Sequence, residues 1–466
     1  MGEVSYEIAI IGGGPGGYSA ALRAAELGLK TVVIEKDKIG GICLHHGCIP
    51  TTSLLQCAKV LETVNRSGKF GIKVEGISYD WQAVQKTKSV SVNRLFMGLN
   101  TLFKQRKVEV IKGTAAFDEP GSVRVENNAG PHTLLADNII IATGSSPRVI
   151  PEFQGNPNMA MNTNQVLEIN KVPKSIIIVG GGAYGVEFAS LFKTFGSEVS
   201  IIEKASHLLP RDDHEVAKYL ERSFTKRGIN IYTNTKIQAA VQTNAGAQIE
   251  IENQSTGEVK TITSDKVLVT AGRIANLDNI DIETLGLRTK YGFIDTDSDM
   301  RTNIEGVFAV GDVTFNPQYA NFAFSEGIHA VEIIAGMDPP TLNLKQIPIY
   351  TFGSPELAKV GYTEDEAKQA GFEIETVGLP LQAVPRSAID KESIGFAKIV
   401  SIKGGPIIGV HLIGPDVVNL ISEAMLITNW EATAEDVAQF LHPHPSFAES
   451  IGETVLKLAG KPLHSL

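Results

Sequence analysis

The sequence predicts an α/β chain in which one strand–turn–helix–strand unit occurs twice and a separate α+β domain follows at the C-terminal end. Three observations carry this prediction. The apolar run Ile8-Ala9-Ile10-Ile11 ends in Gly12-Gly13-Gly14-Pro15-Gly16-Gly17. It then passes into a helix-like stretch over 18–27 that Gly28 stops, and resumes as Thr31-Val32-Val33-Ile34 before Glu35. The same order returns at Ile176-Ile177-Ile178-Val179, Gly180-Gly181-Gly182-Ala183-Tyr184-Gly185, a helical stretch to Phe195, Gly196, then Val199-Ser200-Ile201-Ile202 and Glu203. Each copy also has a later strand that ends in a small-residue turn: 138–141 runs into Ala142-Thr143-Gly144, and 266–269 into Thr270-Ala271-Gly272. After Gly311-Asp312 a helical stretch over 320–335 reaches Pro339-Pro340, and from about Ile347 the pattern is mixed α+β.

A chain of 466 residues exceeds one core, at roughly 100–200 residues per domain. The expected divisions are 1–148, 149–275, 276–345 and 346–466, with a linker over 147–173 and a return over 276–289. The net charge of −10 disfavours polyanionic nucleic acid as a partner. No apolar run reaches the roughly 18 residues of a membrane helix, and Met1-Gly2-Glu3-Val4 lacks the basic start of a signal peptide. No membrane contact and a cytoplasmic location are therefore expected. The three cysteines, Cys43, Cys48 and Cys57, are too few to staple a secreted fold, so a cysteine pair is expected to do chemistry.

Both glycine motifs follow a strand and open a helix, where backbone N–H groups and the helix dipole meet a pyrophosphate. Gly12 and Gly180 make the turn, Gly14 and Gly182 admit the phosphates, and Gly17 and Gly185 allow close helix–strand packing. Glu35 and Glu203 each stand 23 residues after the first glycine, at Gly12 and Gly180, where a carboxylate holds a ribose hydroxyl. At Glu203 it also repels a 2′-phosphate, which favours NAD over NADP. Lys204 beside it reads as a solvated surface charge.

Cys43 and Cys48 stand in Gly40-Gly41-Ile42-Cys43-Leu44-His45-His46-Gly47-Cys48-Ile49-Pro50. Five residues of regular helix rise about 7.5 Å, beyond the usual disulfide Cα separation of about 4.4–6.8 Å, so a bridge needs a distorted turn. Gly47 and Pro50 supply one, and a helix starting near Pro50 places both sulfurs at its positive end. A metal site from Cys43, His45, His46 and Cys48, or two inert buried thiols, are the other readings. Cys57 reads as a core residue. Near the end, His444 lies between Pro443 and Pro445, and Glu449 is placed to orient its imidazole for proton transfer.

With these motifs in this order, and with Thr302-Asn303-Ile304-Glu305-Gly306 running into Gly311-Asp312, the chain resembles the pyridine nucleotide–disulfide oxidoreductases. Within them it is most similar to the lipoamide dehydrogenases, over essentially its whole length. The resemblance implies two Rossmann-like FAD/NAD(P)-binding domains plus a C-terminal α+β dimerisation domain. It implies FAD on Gly12, Gly14, Gly17, Glu35, Lys36, Gly41, Thr52, Thr143, Gly144, Gly311, Asp312 and Ala320. NAD falls on Gly180, Gly182, Gly185, Glu203 and Gly272, with Glu187 in the same cofactor-binding set and no metal. Cys43 and Cys48 become a redox disulfide, with Cys43 the outer, substrate-attacking thiol and Cys48 the inner one facing the flavin. In a homodimer His444 and Glu449 serve the cysteines of the partner subunit. The implied reaction oxidises dihydrolipoyl groups on a lipoyl-carrying protein of a 2-oxoacid dehydrogenase, glycine cleavage or related system, and passes the electrons to NAD⁺.

Three positions depart from the pattern. Thr52 stands where the family has a flavin-contacting lysine, although the matching Glu187 is present, and His45 or His46 is a hypothetical source of the missing charge. Ala320-Asn321-Phe322-Ala323 replaces Ala-His-Lys-Ala, and Val384-Pro385-Arg386-Ser387-Ala388 replaces an Asn-x-Arg-Ala stretch. Among rival functions, glutathione-reductase-like enzymes take NADPH, against Glu203. Mercuric-reductase-like and large thioredoxin-reductase-like enzymes need later thiols, and none follows Cys57. A soluble transhydrogenase needs no redox disulfide. A non-catalytic flavoprotein subunit that binds lipoyl carriers is the rival from another class.

Overall fold

A computed structural model describes residues 5–128, 130–154, 159–244, 246–392 and 394–465. Met1 to Val4, read above for a leader, and 155–158 within the expected linker lie outside the described residues. The chain divides into two compact units. One comprises Met1–Ser53, Lys86–Arg148 and Gly272–Leu342, and the other Leu54–Gln85, Val149–Ala271 and Asn343–Leu466. Among the described residues no helix is long and apolar enough to cross a membrane.

In the first unit the apolar runs become the centre of a seven-stranded sheet. Ser5–Ile11 pairs in parallel with Thr31–Glu35 on one side and His132–Ile141 on the other. Glu109–Lys112 and Val307–Ala309 extend the parallel part, and Thr114–Glu119 and Ser122–Glu126 add an antiparallel flap. Ile8, Ala9 and Ile10 are fully buried, as a strand covered on both faces requires. The helix Pro15–Glu26 packs on this sheet and against the helix Ala320–Ile334. It begins at Pro15, earlier than the stretch from Tyr18, because proline at the first helical position brings the correct φ and needs no N–H partner.

The second unit repeats the design. Ser175–Val179, Glu198–Ile202, Asn230–Tyr232, Lys266–Val269 and Ala160–Met161 form an all-parallel five-stranded sheet. The antiparallel strands Thr235–Thr243, Gly246–Asn253 and Val259–Ser264 stand beside it as a separate sheet. A second five-stranded sheet, antiparallel throughout, takes up the C-terminal part from Ile349–Thr351 to Ile407–Gly414. The helices Val417–Asn429 and Glu449–Leu458 pack on it.

One expectation is filled in here and one is corrected. The segment read as a linker carries structure of its own: Thr163–Val166 is a helical turn closed by a reciprocal cap between Asn162 and Gln165. Ile282–Leu285 within the return is likewise capped, by Asp281. The helix expected near Pro50 begins at Cys48 and runs to Arg66, while Cys43 lies on a separate short helix, Gly41–His46. Gly47, at φ −144° and ψ −111°, breaks the two apart. Only Cys48 therefore starts a helix.

A buried cation joins three segments of the second unit. Lys398 Nζ lies 3.0 Å from Asp213, 2.7 Å from Glu215 and 2.7 Å from Glu364, and its side chain is only 4% exposed. Burial pulls its pKa down, but the bonds to Glu215 and Glu364 outweigh that and hold it above the ordinary lysine value. Asp213 also caps the helix His214–Lys226. Lys398→Met strands Asp213 without its countercharge, and should lower unfolding free energy by about 3–5 kcal/mol in urea denaturation. A change under about 1 kcal/mol would contradict a structural role for this cluster.

Candidate active site

The two glycine loops are built alike. Gly12 has φ +104° and Gly180 φ +111°, in the left-handed range that disfavours a side chain. A Cβ at Gly12 would strike the Ala142 carbonyl, and at Gly180 it would meet Thr270 at 2.9 Å. A Cβ at Gly17 or Gly185 would collide with the carbonyl oxygen of Gly12 or Gly180, so each helix sits as close to its strand as the backbone allows. Gly14 and Gly182 are the N-caps of Pro15–Glu26 and Ala183–Thr194, and neither helix has a side-chain cap. Nothing lies within 4 Å of a Cβ placed on Gly182. Each loop thus offers helix N–H groups on an open glycine face, which fits a dinucleotide pyrophosphate.

Glu35 accepts from Gly13 N–H at 2.8 Å and from Asp37 N–H at 2.7 Å. Glu203 accepts from Gly181 N–H at 2.6 Å and from Ala205 N–H at 2.7 Å. Both carboxylates therefore close the glycine loop while keeping lone pairs for a further donor, as ribose binding requires. Lys36 and Lys204 are exposed.

Around the first loop, Gly41 sits so close to Gly14 that an added Cβ would lie 2.6 Å from its Cα. Thr143 and Asn276 exchange hydrogen bonds of 2.8 and 2.9 Å, which fixes the turn at Gly144. In the second unit the counterpart of that turn, which follows Val269, is held by Thr270 Oγ1 donating to the Gly180 carbonyl at 2.9 Å. Gly272 itself is exposed, at φ +98°. Asp312 lies on the 3-10 turn Gly311–Val313, and Ala320 is the first residue of the helix that follows. Thr52 is half-buried one turn beyond Cys48. Glu187 accepts from the backbone N–H of Phe352 at 2.9 Å.

Cys43 is half-buried, Cys48 is exposed, and both are free thiols. They share a hydrogen bond. Its donor, the Cys43 thiol, is pushed far up in pKa by that bond, then by burial and by the charge of Cys48. Cys48 is held below the ordinary thiol value, first by the same bond and further by Arg273. The proton of that bond is thus held by Cys43, and Cys48, at a helix start, is the sulfur that ionises first. His45 sets its Nε2 3.0 Å from the Ile39 carbonyl, which makes that nitrogen the donor, and its ring rests edge-on against Phe96.

In the second unit His444 Nδ1 donates to Glu449 at 2.7 Å, and the other oxygen of Glu449 accepts from Ser446 N–H at 2.8 Å. Burial pushes the Glu449 carboxyl up, but these bonds outweigh it and hold the carboxyl below its ordinary pKa. Glu449 is therefore anionic at neutral pH, and His444, itself exposed, keeps Nε2 open as a base. Arg386, in the stretch that replaces Asn-x-Arg-Ala, stands over the ring of buried Phe447 between these two residues.

Several residues of the site escape sequence reasoning. Asp312 accepts from Ser145 Oγ at 2.7 Å, with buried Arg273 at 3.6 Å. Arg273 in turn donates to the hydroxyl and carbonyl of Ser145, both at 2.7 Å. Tyr18 is pushed up to about 12 by burial and then by the charges of Cys43 and Cys48, which brings a phenol beside the dithiol. A second imidazole–carboxylate pair, His442 with Glu423 at 2.7 Å, adjoins the first, and His442 feels the charge of Glu449. A charged residue straight after a small-residue turn is the one signal that marks Arg273 in sequence; Ser145 and Tyr18 carry none.

Two nucleotide loops, a dithiol whose two sulfurs are unequal in proton affinity and an anion-oriented imidazole define a two-dinucleotide dithiol–disulfide redox protein. The chain matches the pyridine nucleotide-disulphide oxidoreductase family over residues 6–327 and its dimerisation domain over 347–455, and it belongs to that family. Its cofactors are accordingly FAD and NAD, and the loops described above fit both. A dihydrolipoyl dehydrogenase of Bacillus subtilis is 40% identical, covering 98% of this chain and 99% of the relative. One of Geobacillus stearothermophilus is 37% identical over 99% and 98%. Among solved structures, LpdA from Mycobacterium tuberculosis superposes with a TM-score of 0.88 at 25% identity, covering 98% of this chain and 99% of that one. The Cu(II) complex of the HOCl-induced flavoprotein disulfide reductase RclA from Escherichia coli gives 0.86 at 26% identity, over 98% and 100%.

The proton arrangement of the cysteines has a spectroscopic consequence. In the FAD-loaded protein, Cys43→Ser should retain a long-wavelength thiolate–flavin absorbance at neutral pH, whereas Cys48→Ser should lack it. The reverse pattern would place the charge on the other sulfur.

Proposed function

We infer that this protein is a dihydrolipoyl dehydrogenase: it oxidises dihydrolipoyl groups through a Cys43–Cys48 disulfide and FAD, and reduces NAD⁺. The observation that carries the reading is the unequal dithiol. When a substrate thiolate attacks the disulfide, the thiol of lower pKa leaves faster, so attack at Cys43 with release of Cys48 is favoured. Cys43 forms the mixed disulfide and Cys48 departs as a thiolate. The second substrate sulfur then displaces Cys43, so that the substrate closes to a disulfide and both electrons remain on the cysteines.

Both displacements need the substrate thiols deprotonated, and Cys43 must regain a proton. His444 is the group assigned to that transfer. Glu449 fixes its Nδ1–H, leaving Nε2 to take and return the proton. FAD, when bound, supplies the two-electron acceptor that links the dithiol to the nicotinamide. Gly12, Gly14, Gly17, Glu35, Lys36, Gly41, Thr52, Thr143, Gly144, Gly311, Asp312 and Ala320 are assigned to it. Gly180, Gly182, Gly185, Glu187, Glu203 and Gly272 are assigned to NAD.

The dimerisation domain supports a homodimer. In it, His444 of the partner subunit would complete the chemistry of each dithiol. The substrate is a lipoyl-carrying protein of a 2-oxoacid dehydrogenase, glycine cleavage or related system, and the setting is cytoplasmic. The net charge of −10 disfavours polyanionic nucleic acid as a partner.

Two outcomes test this. His444→Gln should lower kcat with dihydrolipoamide about 10²- to 10⁴-fold, the usual contribution of a positioned acid–base group, in steady-state assays at saturating NAD⁺. A loss below about threefold would remove His444 from the mechanism. Wild-type kcat/KM should favour NAD⁺ over NADP⁺ by at least about 100-fold, because the 2′-phosphate meets the Glu203 carboxylate. Equal use of both would overturn the role given to Glu203.

A further inference from the structure

The helix Ala320–Ile334 carries two carboxylates, Glu326 and Glu332, and Glu326 has no place in the chemistry above. Glu326 is fully buried, at 0% exposure. One of its oxygens accepts from Gly311 N–H at 2.6 Å, and the other from Asn316 Nδ2 at 2.5 Å. Asn316 also donates to Thr314 Oγ1 at 3.2 Å, and Thr314 Oγ1 donates to the Gly311 carbonyl at 2.8 Å. These bonds form a closed ring around the Gly311–Val313 turn, and that turn carries Asp312. Gly311 needs the support, since at φ +74° it holds the turn in a left-handed conformation. Asp312 is thus fixed from two sides: Ser145 and Arg273 hold its carboxylate, and Glu326 holds its backbone.

We propose that Glu326 is a positioning residue for FAD, whose buried carboxyl holds the turn that presents Asp312 to the cofactor. This rests on the assignment of Asp312 to FAD. The carboxyl also titrates in a useful range. Burial pushes it up to about 8 against the lowering effect of the bonds from Gly311 and Asn316, and the charge of Asp312 adds to the rise. The surrounding charges are Asp312 on the turn, Arg273 behind it and the cysteine pair that feels Asp312. On the packed helix Pro15–Glu26, Arg23 is engaged with Glu332, and on Glu326's own helix His329 faces Asp299 at 3.8 Å. No cation contacts Glu326 among these, so its ionisation adds a negative charge beside Asp312. A bound pyrophosphate disfavours that charge, and by reciprocity the ionised carboxyl weakens FAD binding.

The test follows FAD release from the loaded protein after dilution, by flavin fluorescence, from pH 6 to 10. Wild type should release FAD several-fold faster above about pH 8 than below it. Glu326→Gln keeps an acceptor for Gly311 but cannot ionise, and should give a flat profile. Glu326→Ala loses the ring and should release FAD at least about tenfold faster at every pH. A step near pH 8 that persists in Glu326→Gln overturns the proposal, as does slow, wild-type release in Glu326→Ala; if the alanine variant does not fold, the glutamine profile decides. Asp312→Asn separates the two readings. If it speeds release while both Glu326 variants match wild type, only the present proposal fails; if it leaves release unchanged, the assignment of Asp312 to FAD fails.

Discussion

Glu35 and Glu203 each commit both oxygens to backbone N–H groups, one in the glycine loop and one in the turn after the second strand. Everything built on the two nucleotide units depends on that clamp. A glycine-rich loop has the highest conformational entropy of any segment, and its N–H groups point usefully at a phosphate only while the loop is held. A carboxylate at the end of the neighbouring strand holds it with charge-assisted bonds and still has acceptor capacity for a sugar hydroxyl. Stability and ligand recognition thus use the same side chain. The loss of either glutamate is therefore felt in the loop as well as at the ribose.

A second constraint acts at the dithiol. A continuous helix across Cys43 and Cys48 would hold the sulfurs too far apart to exchange a proton or a bond. The break at Gly47 divides it into two helices, and the two sulfurs then meet unequally: Cys48 starts a helix, Cys43 lies inside a short one. Asymmetry in proton affinity follows from the bond the two sulfurs share, in which Cys43 donates and Cys48 accepts. A disulfide whose two sulfurs differ as leaving groups has a preferred point of attack, and that preference separates the substrate side from the flavin side without any further device.

Ser145, Arg273, Glu326 and Asn316 serve one residue, Asp312. All four lie in the first unit, yet they come from two separate stretches of chain, Lys86–Arg148 and Gly272–Leu342. A half-buried carboxylate such as Asp312 is held in one place only if its lone pairs and charge are answered, and here a serine hydroxyl, a guanidinium and a supported backbone turn answer them. Arg273 also contributes to lowering the Cys48 thiol. The acid of one site and the thiolate of the other are consequently coupled through a single buried arginine.

Much of this molecule was legible in the order of its residues. The parallel strands announced themselves as short apolar runs, the helices by proline or glycine at their ends, and the paired carboxylates by equal spacing from Gly12 and Gly180. These signals are local, since strand period, turn chemistry and cap preference are settled within a few residues of chain. The CxxxxC segment and the His444–Glu449 pair were legible for the same reason. What tertiary structure alone decided is where protons and charges reside. Cys43 rather than Cys48 keeps the proton, Glu326 is neutral below about pH 8, and Lys398 stays charged in the core. Each of these is set by burial and by partners distant in sequence, and spacing along the chain carries no record of either.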